Sequence, residues 1–358
     1  MKKILCFIDN LGPGGAQRQI VGLASFLKEK GYDVTIAFYD DNRFYVDLLK
    51  TNGVPYVYLE KAKKTTFRIW HVARYIRKTK PDVVIAYLET PSICACLAKL
   101  FNHRFKLIVS ERNTTQHTGT NERIRFNLFR IADYVVPNAY SQEIYMRRTF
   151  PKLADKIVTI PNFVDLEHFV PPLERRRREV PKIMIAASIW PSKNTVGFID
   201  AVAKLKEKGY RFHVSWYGLN TAHLDYIDQC RQKIEKFGVA DCIELKEKTT
   251  QIKECYQGAD YFCLPSFYEG TPNVICEAMA CGLPVVCSDV CDNSKYVIEG
   301  KNGFLFNPKD TDSMVEAFER LFAMDNEGYL LFSNNSREFA EKKLSTEAFV
   351  DSYTKLVE

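Results

Sequence analysis

The first half of the chain alternates short apolar runs with longer segments in which apolar residues recur every three or four positions. The short runs predict β-strands, and the longer segments predict amphipathic helices. The predicted strands are residues 4–8, 34–38, 54–59, 83–87, 106–109 and 134–137. The predicted helices are residues 17–30, 45–51, 67–80, 92–101 and 122–131. Strands that alternate with helices favour a parallel sheet with helices on both faces.

The same alternation restarts near Lys182. Here the predicted strands are residues 183–189, 212–217, 242–245, 261–264 and 284–288. The predicted helices are residues 195–208, 224–237, 312–323 and 338–357, together with one that begins near residue 273. A chain of 358 residues is long enough for two domains. We interpret residues 1–165 as the first domain, the polar residues 166–181 as a linker, and residues 182–339 as the second domain.

Glu269 and Glu277 lie in the most informative segment of the chain. The predicted strand 261–264 leads into a turn with Glu269, a helix that carries Glu277, and the predicted strand 284–288. The amino terminus of a helix presents free N–H groups at the carboxyl end of such strands, where anionic ligands bind. Two carboxylates beside an anion site suit a nucleotide sugar, whose diphosphate takes the N–H groups while its hydroxyls donate to the carboxylates.

The string Glu-Gly-Thr-Pro from Glu269 and Glu-Ala-Met-Ala-Cys-Gly-Leu-Pro-Val-Val from Glu277 resembles the E-x7-E signature of retaining family 4 glycosyltransferases. The resemblance covers nearly the whole chain and is closest to bacterial enzymes of surface-polysaccharide synthesis. It implies the α/β GT-B fold, with two Rossmann-like domains facing across a cleft. The first domain would bind the acceptor and the second the nucleotide sugar. A C-terminal helix of about residues 340–358 would return to the first domain.

The resemblance also assigns residues to the donor site. The donor-binding residues would be Gly15, Ser188, Lys193, Gly270, Thr271, Pro272, Asn273, Val274 and Glu277. Glu269, which would contact the donor sugar, and Lys193, which would bind the diphosphate, would be catalytic. Glu277 would accept hydrogen bonds from the ribose hydroxyls. Ser188 stands where the family usually has a diphosphate-binding arginine, and serine cannot make the bidentate phosphate contact of arginine.

Two loops of the first domain resemble the acceptor side of the family. Gly12-Pro-Gly-Gly-Ala-Gln17 follows the first predicted strand, lacks the Gly-x-Gly-x-x-Gly spacing of dehydrogenases, and resembles the family's Gly-Gly-Ala-Glu loop. The acceptor-binding residues would be Gly14, Glu111, Arg112 and Asn113. A plain tight turn for the glycine loop, and a structural ion pair for Glu111-Arg112, are the alternatives.

The charge distribution adds one possible partner. The net charge of +6 divides into +12 over residues 1–180 and −6 over the remainder. Residues 61–80 carry eight Lys and Arg, no acid and several aromatic residues, which suits an anionic membrane surface. An ordinary solvated helix is the alternative. No recognition module indicates nucleic acid, and a pI of 8.6 is modest.

Composition and cysteine usage favour a cytoplasmic protein that associates with the inner face of the cell membrane at most peripherally. No apolar run approaches the ~18 residues of a membrane span, and the N-terminus reads as a first strand rather than a signal peptide. The 11 cysteines include no Cys-x-x-Cys pair and lie mostly in apolar stretches. We therefore expect neither disulfides nor a metal site, and no cofactor.

Together with the resemblance, which implies retention of the anomeric configuration, these features predict a retaining, metal-independent hexosyltransferase. It would move a hexose or N-acetylhexosamine from a nucleotide sugar, in our expectation a UDP-sugar, to a glycan or polyprenyl-diphosphate-linked glycan during lipopolysaccharide or capsule synthesis. The alternatives are a sugar-nucleotide epimerase of the GT-B fold and a non-catalytic nucleotide-sugar-binding module. The serine at position 188 keeps the second alternative open.

Overall fold

The protein consists of two compact units in a computed structural model that describes residues 1–64, 67–101, 104–112, 118–219 and 223–358. The first unit comprises Met1–Phe163 and Glu347–Glu358, and the second comprises Val164–Thr346. Each unit is built around its own six-stranded parallel sheet.

The first unit has its sheet between two layers of helices. Its strands are β1 Lys3–Phe7, β2 Asp33–Phe38, β3 Tyr56–Tyr58, β4 Val83–Tyr87, β5 Lys106–Glu111 and β6 Tyr134–Pro137. Its helices are α1 Gly15–Glu29, α2 Val46–Thr51, α3 Arg68–Thr79, α4 Glu89–Phe101, α5 Thr120–Phe129, α6 Tyr140–Thr149 and, from the C-terminus, α14 Thr346–Val357. Helices α1, α2 and α14 pack on one face of the sheet, and helices α3 to α6 pack on the other.

The second unit repeats this arrangement. Its strands are β7 Lys182–Ala186, β8 His213–Leu219, β9 Ile243–Glu247, β10 Tyr261–Leu264, β11 Val285–Ser288 and β12 Gly303–Phe306. Its helices are α7 Thr195–Glu207, α8 Leu224–Lys236, α9 Ile252–Gly258, α10 Asn273–Ala280, α11 Asn293–Tyr296, α12 Thr311–Phe322 and α13 Asn326–Lys343. Helices α7, α8 and α12 pack on one face of the sheet, and α9 and α10 pack on the other. Helix α13 contributes to both cores, with Tyr329 and Phe332 on the first side and Ala340 on the second.

Both sheets have the same doubly wound strand order. The first runs β3-β2-β1-β4-β5-β6, and the second runs β12-β11-β10-β7-β8-β9. In each sheet, the order in which strands are added changes side between two central strands. These are β1 and β4 in the first unit and β7 and β10 in the second. The loops that leave such a pair diverge to opposite faces, so a crevice opens at the carboxyl ends of the two strands. Each unit therefore has one topologically defined place for a ligand.

Most predicted elements are confirmed within a few residues, but the last predicted helix is wrong. Instead of one helix over residues 338–357, the structure has α13 and α14, which are separated at Leu344 and Ser345. Leu344 ends α13, and its carbonyl accepts a hydrogen bond of 2.9 Å from the N–H of Val164. The strand β12 and the helices α6, α9 and α11 were not predicted.

The arginine-rich stretch that was interpreted as a linker lies within the second unit. The guanidinium of Arg175 donates to the carbonyls of Ala259 and Cys281. Arg178 pairs with the buried Asp260 at 2.7 Å. These arginines therefore attach residues 166–181 to the second unit through backbone carbonyls and one carboxylate.

Across the described ranges, no helix combines the length and the apolar character that crossing a bilayer would require.

Gly303 tests how tightly β11 and β12 approach each other. A Cβ atom at this position would lie 1.9 Å from the carbonyl oxygen of Val285 and 2.7 Å from Cγ1 of Val297. We expect Gly303→Ala to lower the free energy of unfolding by about 3 kcal/mol, because the backbone of the partner strand has to move. Urea denaturation monitored by circular dichroism measures the effect.

Gly258→Ala is the matched control, since a Cβ there meets nothing within 4 Å. It should leave stability unchanged or raise it by up to about 1 kcal/mol, because alanine is the better helix former. Equal effects of the two substitutions would contradict the close approach of the strands at Gly303.

Candidate functional site

The candidate site of the second unit lies where β7 and β10 end side by side. These strands pair in parallel, with Ile183 opposite Tyr261 and Met184 opposite Phe262. The loops that follow them are joined directly, because the N–H of Phe267 donates to the carbonyl of Ser192 at 2.8 Å. The site is therefore assembled at the switch point of the sheet, where an open α/β sheet binds its ligand.

Two of the predicted site residues meet at this point. Nζ of Lys193 lies 2.6 Å from Oε1 of Glu269, and the same carboxylate oxygen accepts a hydrogen bond from the hydroxyl of Ser266. The side chains of Lys193 and Glu269 are 25% and 11% exposed, and Ser266 is fully buried. A partly buried ion pair, anchored by a neutral donor, thus occupies the crevice.

The backbone fixes the position of Lys193. It ends a single 3₁₀ turn, Pro191–Lys193, and is followed by Asn194, whose φ of +56° lies in the left-handed region. Asn194 is 4% exposed, and its side-chain amide donates to the carbonyl of Pro308 at 2.9 Å. Asparagine adopts this conformation more readily than most residues, and here the distant Pro308 holds its side chain. The strained residue therefore directs Lys193 towards the end of β10.

Glu277 lies on the buried side of α10. It is 6% exposed, and its Oε2 atom accepts a hydrogen bond of 3.2 Å from the hydroxyl of Tyr256. The remaining predicted donor residues of this segment form the turn before α10 and its first turn: Gly270, Thr271, Pro272, Asn273 and Val274. The helix begins at Asn273 without a side-chain cap, and the N–H groups of Asn273 and Ile275 donate to the carbonyls of Thr271 and Pro272.

Ser188 is exposed on the loop after β7, and two neighbours shape that loop. The indole N–H of Trp216 donates to the carbonyl of Ala187 at 2.7 Å. A Cβ at Gly218 would lie only 1.7 Å from the same oxygen, so a side chain there is excluded. Trp216 is fully buried and therefore a core residue.

The glycine loop of the first unit follows β1 and leads into α1. Gly14 is the N-cap of α1, Gly15 is its exposed first residue, and a Cβ at Gly14 would lie 2.1 Å from Oε1 of Gln17. The side-chain amide of Gln17 donates to Oδ1 of Asp9 at 3.3 Å. Gln17, which replaces the family's glutamate, therefore folds back over the loop and ties it to the end of β1.

The predicted acceptor residues Glu111 and Arg112 are engaged inside the first unit. Glu111 is 2% exposed, and its carboxylate lies 3.7 Å from Nε of Arg125, which also pairs with Glu89 at 2.9 Å. Glu111 therefore lies in an ion pair, but its partner is Arg125 and not Arg112. Asn113, the fourth predicted acceptor residue, lies outside the described residues, as does His117.

Arg112 binds side chains that are far away in sequence. Its guanidinium donates to Oδ1 of Asn162 at 2.6 Å and to the hydroxyls of Tyr87 and Tyr353 at 2.5 and 2.8 Å. It also lies over the ring of Tyr87, 4.1 Å from the centroid. Burial raises the pKa of Tyr87 well above its ordinary value, so this phenol stays neutral. These bonds link the end of β5 to Tyr353 of α14, and an acceptor role for Arg112 stays a prediction.

Three residues near these sites were missed in the sequence analysis: Asp9, Tyr256 and Ser266. Asp9 and Ser266 are polar residues just beyond the ends of β1 and β10, a signal that was available because parallel strands bring such positions to one edge. Tyr256 left no such signal, because only the packing of α9 against α10 brings its hydroxyl to Glu277. Within the described ranges, no group of three or more His, Cys, Asp and Glu side chains could hold a metal ion.

Two family models match the chain, one for each unit. The model described as Glycosyltransferase Family 4 matches residues 13–168, and the model described as Glycosyl transferases group 1 matches residues 180–324. The chain belongs to glycosyltransferase family 4. The expectation drawn from the Glu269 and Glu277 segment is thereby confirmed for the family.

Known proteins resemble this glycosyltransferase along its whole length. An uncharacterised glycosyltransferase of Haemophilus influenzae is 27% identical over 354 residues, covering 95% of this chain and 96% of that protein. An alpha-1,4-N-acetyl-D-galactosaminyltransferase of Campylobacter jejuni that acts on a GalNAc-GalNAc-diNAcBac-PP-undecaprenol is 23% identical over 360 positions, covering 96% of each chain.

A solved structure matches the fold. The structure of HepE from Anabaena in complex with UDP superimposes with a TM-score of 0.85 at 18% identity, covering 99% of both chains. Two six-stranded parallel sheets with flanking helices and this likeness confirm the GT-B fold of the glycosyltransferase.

Asp9 gives this glycosyltransferase a testable dependence of stability on pH. Burial raises the pKa of the Asp9 carboxyl, although the N–H of Asn10 and the amide of Gln17 donate to it. The Asp9 carboxyl therefore ionises at a lower pH in the unfolded chain than in the folded one. The free energy of unfolding falls as the pH rises from the pKa of the unfolded state through the pKa of the folded state. We expect Asp9→Asn to raise the Tm at pH 7, with the gain disappearing as the pH falls towards about 4.

Thermal denaturation of both proteins between pH 4 and 8 measures this difference, with the exposed Asp155→Asn as a control that should show none of it. A gain for Asp9→Asn that is constant across this pH range would show that the Asp9 carboxylate carries no burial cost.

Proposed function

We propose that the protein is a retaining hexosyltransferase that transfers a hexose or N-acetylhexosamine from a UDP-sugar to a lipid-linked glycan. The donor binds the second unit, and the acceptor binds the first. The observation that carries the proposal is the cluster of Lys193, Glu269 and Ser266 at the switch point of the second sheet, next to the start of α10 and the buried Glu277.

Each group of this cluster suits one part of a nucleotide sugar. Lys193 supplies positive charge for the diphosphate, and the start of α10 adds the positive end of a helix dipole. Glu269 accepts hydrogen bonds from sugar hydroxyls. Glu277, oriented by Tyr256, accepts them from the ribose. Ser188 adds no charge, so stabilisation of the diphosphate rests on Lys193 and the helix.

The reaction that we propose retains the anomeric configuration. A hydroxyl oxygen of the acceptor forms a bond to the anomeric carbon on the face from which the diphosphate leaves. The bond between that carbon and the diphosphate oxygen breaks, and the departing phosphate takes the hydroxyl proton. Glu269 and Glu277 are committed to binding, so neither serves as a nucleophile. The work of the site is electrostatic stabilisation of the leaving diphosphate without a metal ion.

The acceptor class is supported by the relatives. The Campylobacter transferase acts on an undecaprenol-diphosphate-linked oligosaccharide, and a galactosyltransferase of Escherichia coli that is 29% identical over 195 residues acts on a GlcNAc-diphosphoundecaprenol. HepE was solved with UDP, which supports the choice of nucleotide. The excess of positive charge in residues 1–180 suits an acceptor that carries a diphosphate.

A panel of UDP-, GDP- and ADP-sugars tests the function, with nucleotide release measured with and without polyprenyl-diphosphate-linked acceptors and with and without EDTA. We expect nucleotide release from one UDP-sugar, an increase of that release with acceptor, and no effect of EDTA.

We expect Lys193→Ala to lower kcat/KM about a hundredfold and Glu277→Ala to weaken donor binding about tenfold. Lys208→Ala and Glu319→Ala, which remove an exposed ion pair of the same unit, are the controls.

The other outcomes identify the alternatives. Conversion of the donor to an isomer without acceptor would indicate an epimerase, and binding without turnover would indicate a non-catalytic module. If both site variants kept wild-type kinetics in an active protein, the assignment of the donor site would be wrong.

We also propose that residues 61–80 bring the enzyme to an anionic membrane. Phe67 and Trp70 are 59% and 56% exposed at the start of α3. Seven of the eight cations of this segment are exposed, and only Arg68 turns inward, where it donates to the carbonyls of Ala62 and Lys63. Exposed aromatic side chains beside a row of cations combine the apolar and electrostatic components of interfacial binding.

Sedimentation with vesicles tests this surface. The enzyme should bind vesicles that contain phosphatidylglycerol and not those of phosphatidylcholine alone. Replacing Lys61, Lys63 and Lys64 by serine should weaken binding at least about tenfold, since each cation near such a surface contributes roughly 1 kcal/mol. The same replacement at Lys236, Lys301 and Lys309, which are exposed in the second unit, is the control. Equal losses for the two triple variants would contradict a localised membrane surface.

A further inference from the structure

The ion pair between Lys193 and Glu269 has a consequence for selectivity. The two charges lie 2.6 Å apart, with most of both side chains removed from solvent. The hydroxyl of Ser266 donates to the same oxygen of Glu269 and keeps the carboxylate beside the lysine. A phosphate group that approaches Lys193 therefore has to share this cation with a carboxylate that is fixed in place.

A nucleoside diphosphate and a nucleotide sugar meet this carboxylate differently. The free diphosphate carries one more negative charge on its terminal phosphate, and it offers Glu269 no hydrogen-bond donor. Bringing it to Lys193 places like charges close together and draws the lysine away from a carboxylate that is only 11% exposed. The sugar of an intact donor separates the carboxylate from the phosphates, and its hydroxyls donate to the carboxylate.

We infer that Glu269 makes the site prefer the intact nucleotide sugar over the nucleoside diphosphate that the reaction releases. The carboxylate opposes the product by competing for Lys193, and the donor sugar compensates it with hydroxyl groups. Glu269 would thus determine specificity between substrate and product, and it would promote product release. This inference rests on the proposed function, because it requires that Lys193 bind the diphosphate.

Glu269→Gln is the decisive variant, since it keeps the shape and removes the charge. Isothermal titration would measure Kd for UDP and for a non-transferable phosphono analogue of the donor identified by the panel. We expect UDP to bind the variant about tenfold more tightly than it binds the wild type, which corresponds to 1.4 kcal/mol. The donor analogue should bind no more tightly than before, because glutamine is a weaker acceptor for its hydroxyls. The ratio of the two dissociation constants should therefore shift by at least tenfold.

Glu319→Gln is the matched control. Glu319 also pairs with a lysine, Lys208 at 2.8 Å, on the same unit, so its replacement makes the same change in net charge at another place. Its Kd ratio should equal that of the wild type. Thermal denaturation establishes that both variants are folded, and a change in the ratio cannot arise from a uniform loss of active protein.

The outcomes separate the inference from the proposed function. If Glu269→Gln changes both affinities by the same factor, or weakens UDP binding, the inference is overturned while the nucleotide-sugar site stands. If neither ligand binds the wild type, the proposed function fails and the inference fails with it. A shift of the ratio in Glu269→Gln alone supports the inference.

Discussion

The parallel pairing of β7 with β10 is the constraint on which the candidate site depends. These strands are distant in sequence, and their pairing brings the turn with Lys193 next to the turn with Glu269. The bond from the N–H of Phe267 to the carbonyl of Ser192 then fixes the two turns relative to each other. Such a switch point, where the adjoining loops leave towards opposite faces, is where an open α/β sheet binds its ligand.

The loop after β7 lies very close to Trp216 and Gly218 of β8. The carbonyl oxygen of Ala187 accepts a hydrogen bond from the buried Trp216. The same oxygen lies in the space that a side chain at Gly218 would fill. A glycine is needed there for close backbone approach rather than for an unusual φ. The geometry of the candidate diphosphate site therefore depends on core residues as well as on the charged groups that would bind the ligand.

The first unit uses charge in a different way. Arg112 and Arg125 are directed into the protein, where they bind tyrosine hydroxyls, an amide oxygen and carboxylates. Arginine suits such positions because its planar guanidinium supports several hydrogen bonds and an aromatic contact at once. Through Tyr353, this network attaches α14 to the sheet of the first unit. A basic motif at the end of β5 thus contributes to the architecture of this unit.

The sequence by itself determined the alternation of strands and helices, the α/β class and the segment with Glu269 and Glu277, because these features are local in the chain. The pairing of Lys193 with Glu269, the inward direction of Arg112 and the bond from Tyr256 to Glu277 each join residues at least 21 positions apart. The same holds for the break between α13 and α14, where Leu344 meets Val164. Only the tertiary structure decided these contacts, because the partner of a side chain depends on the order of the strands and on the packing of the helices. The local periodicity of the sequence determines neither of them.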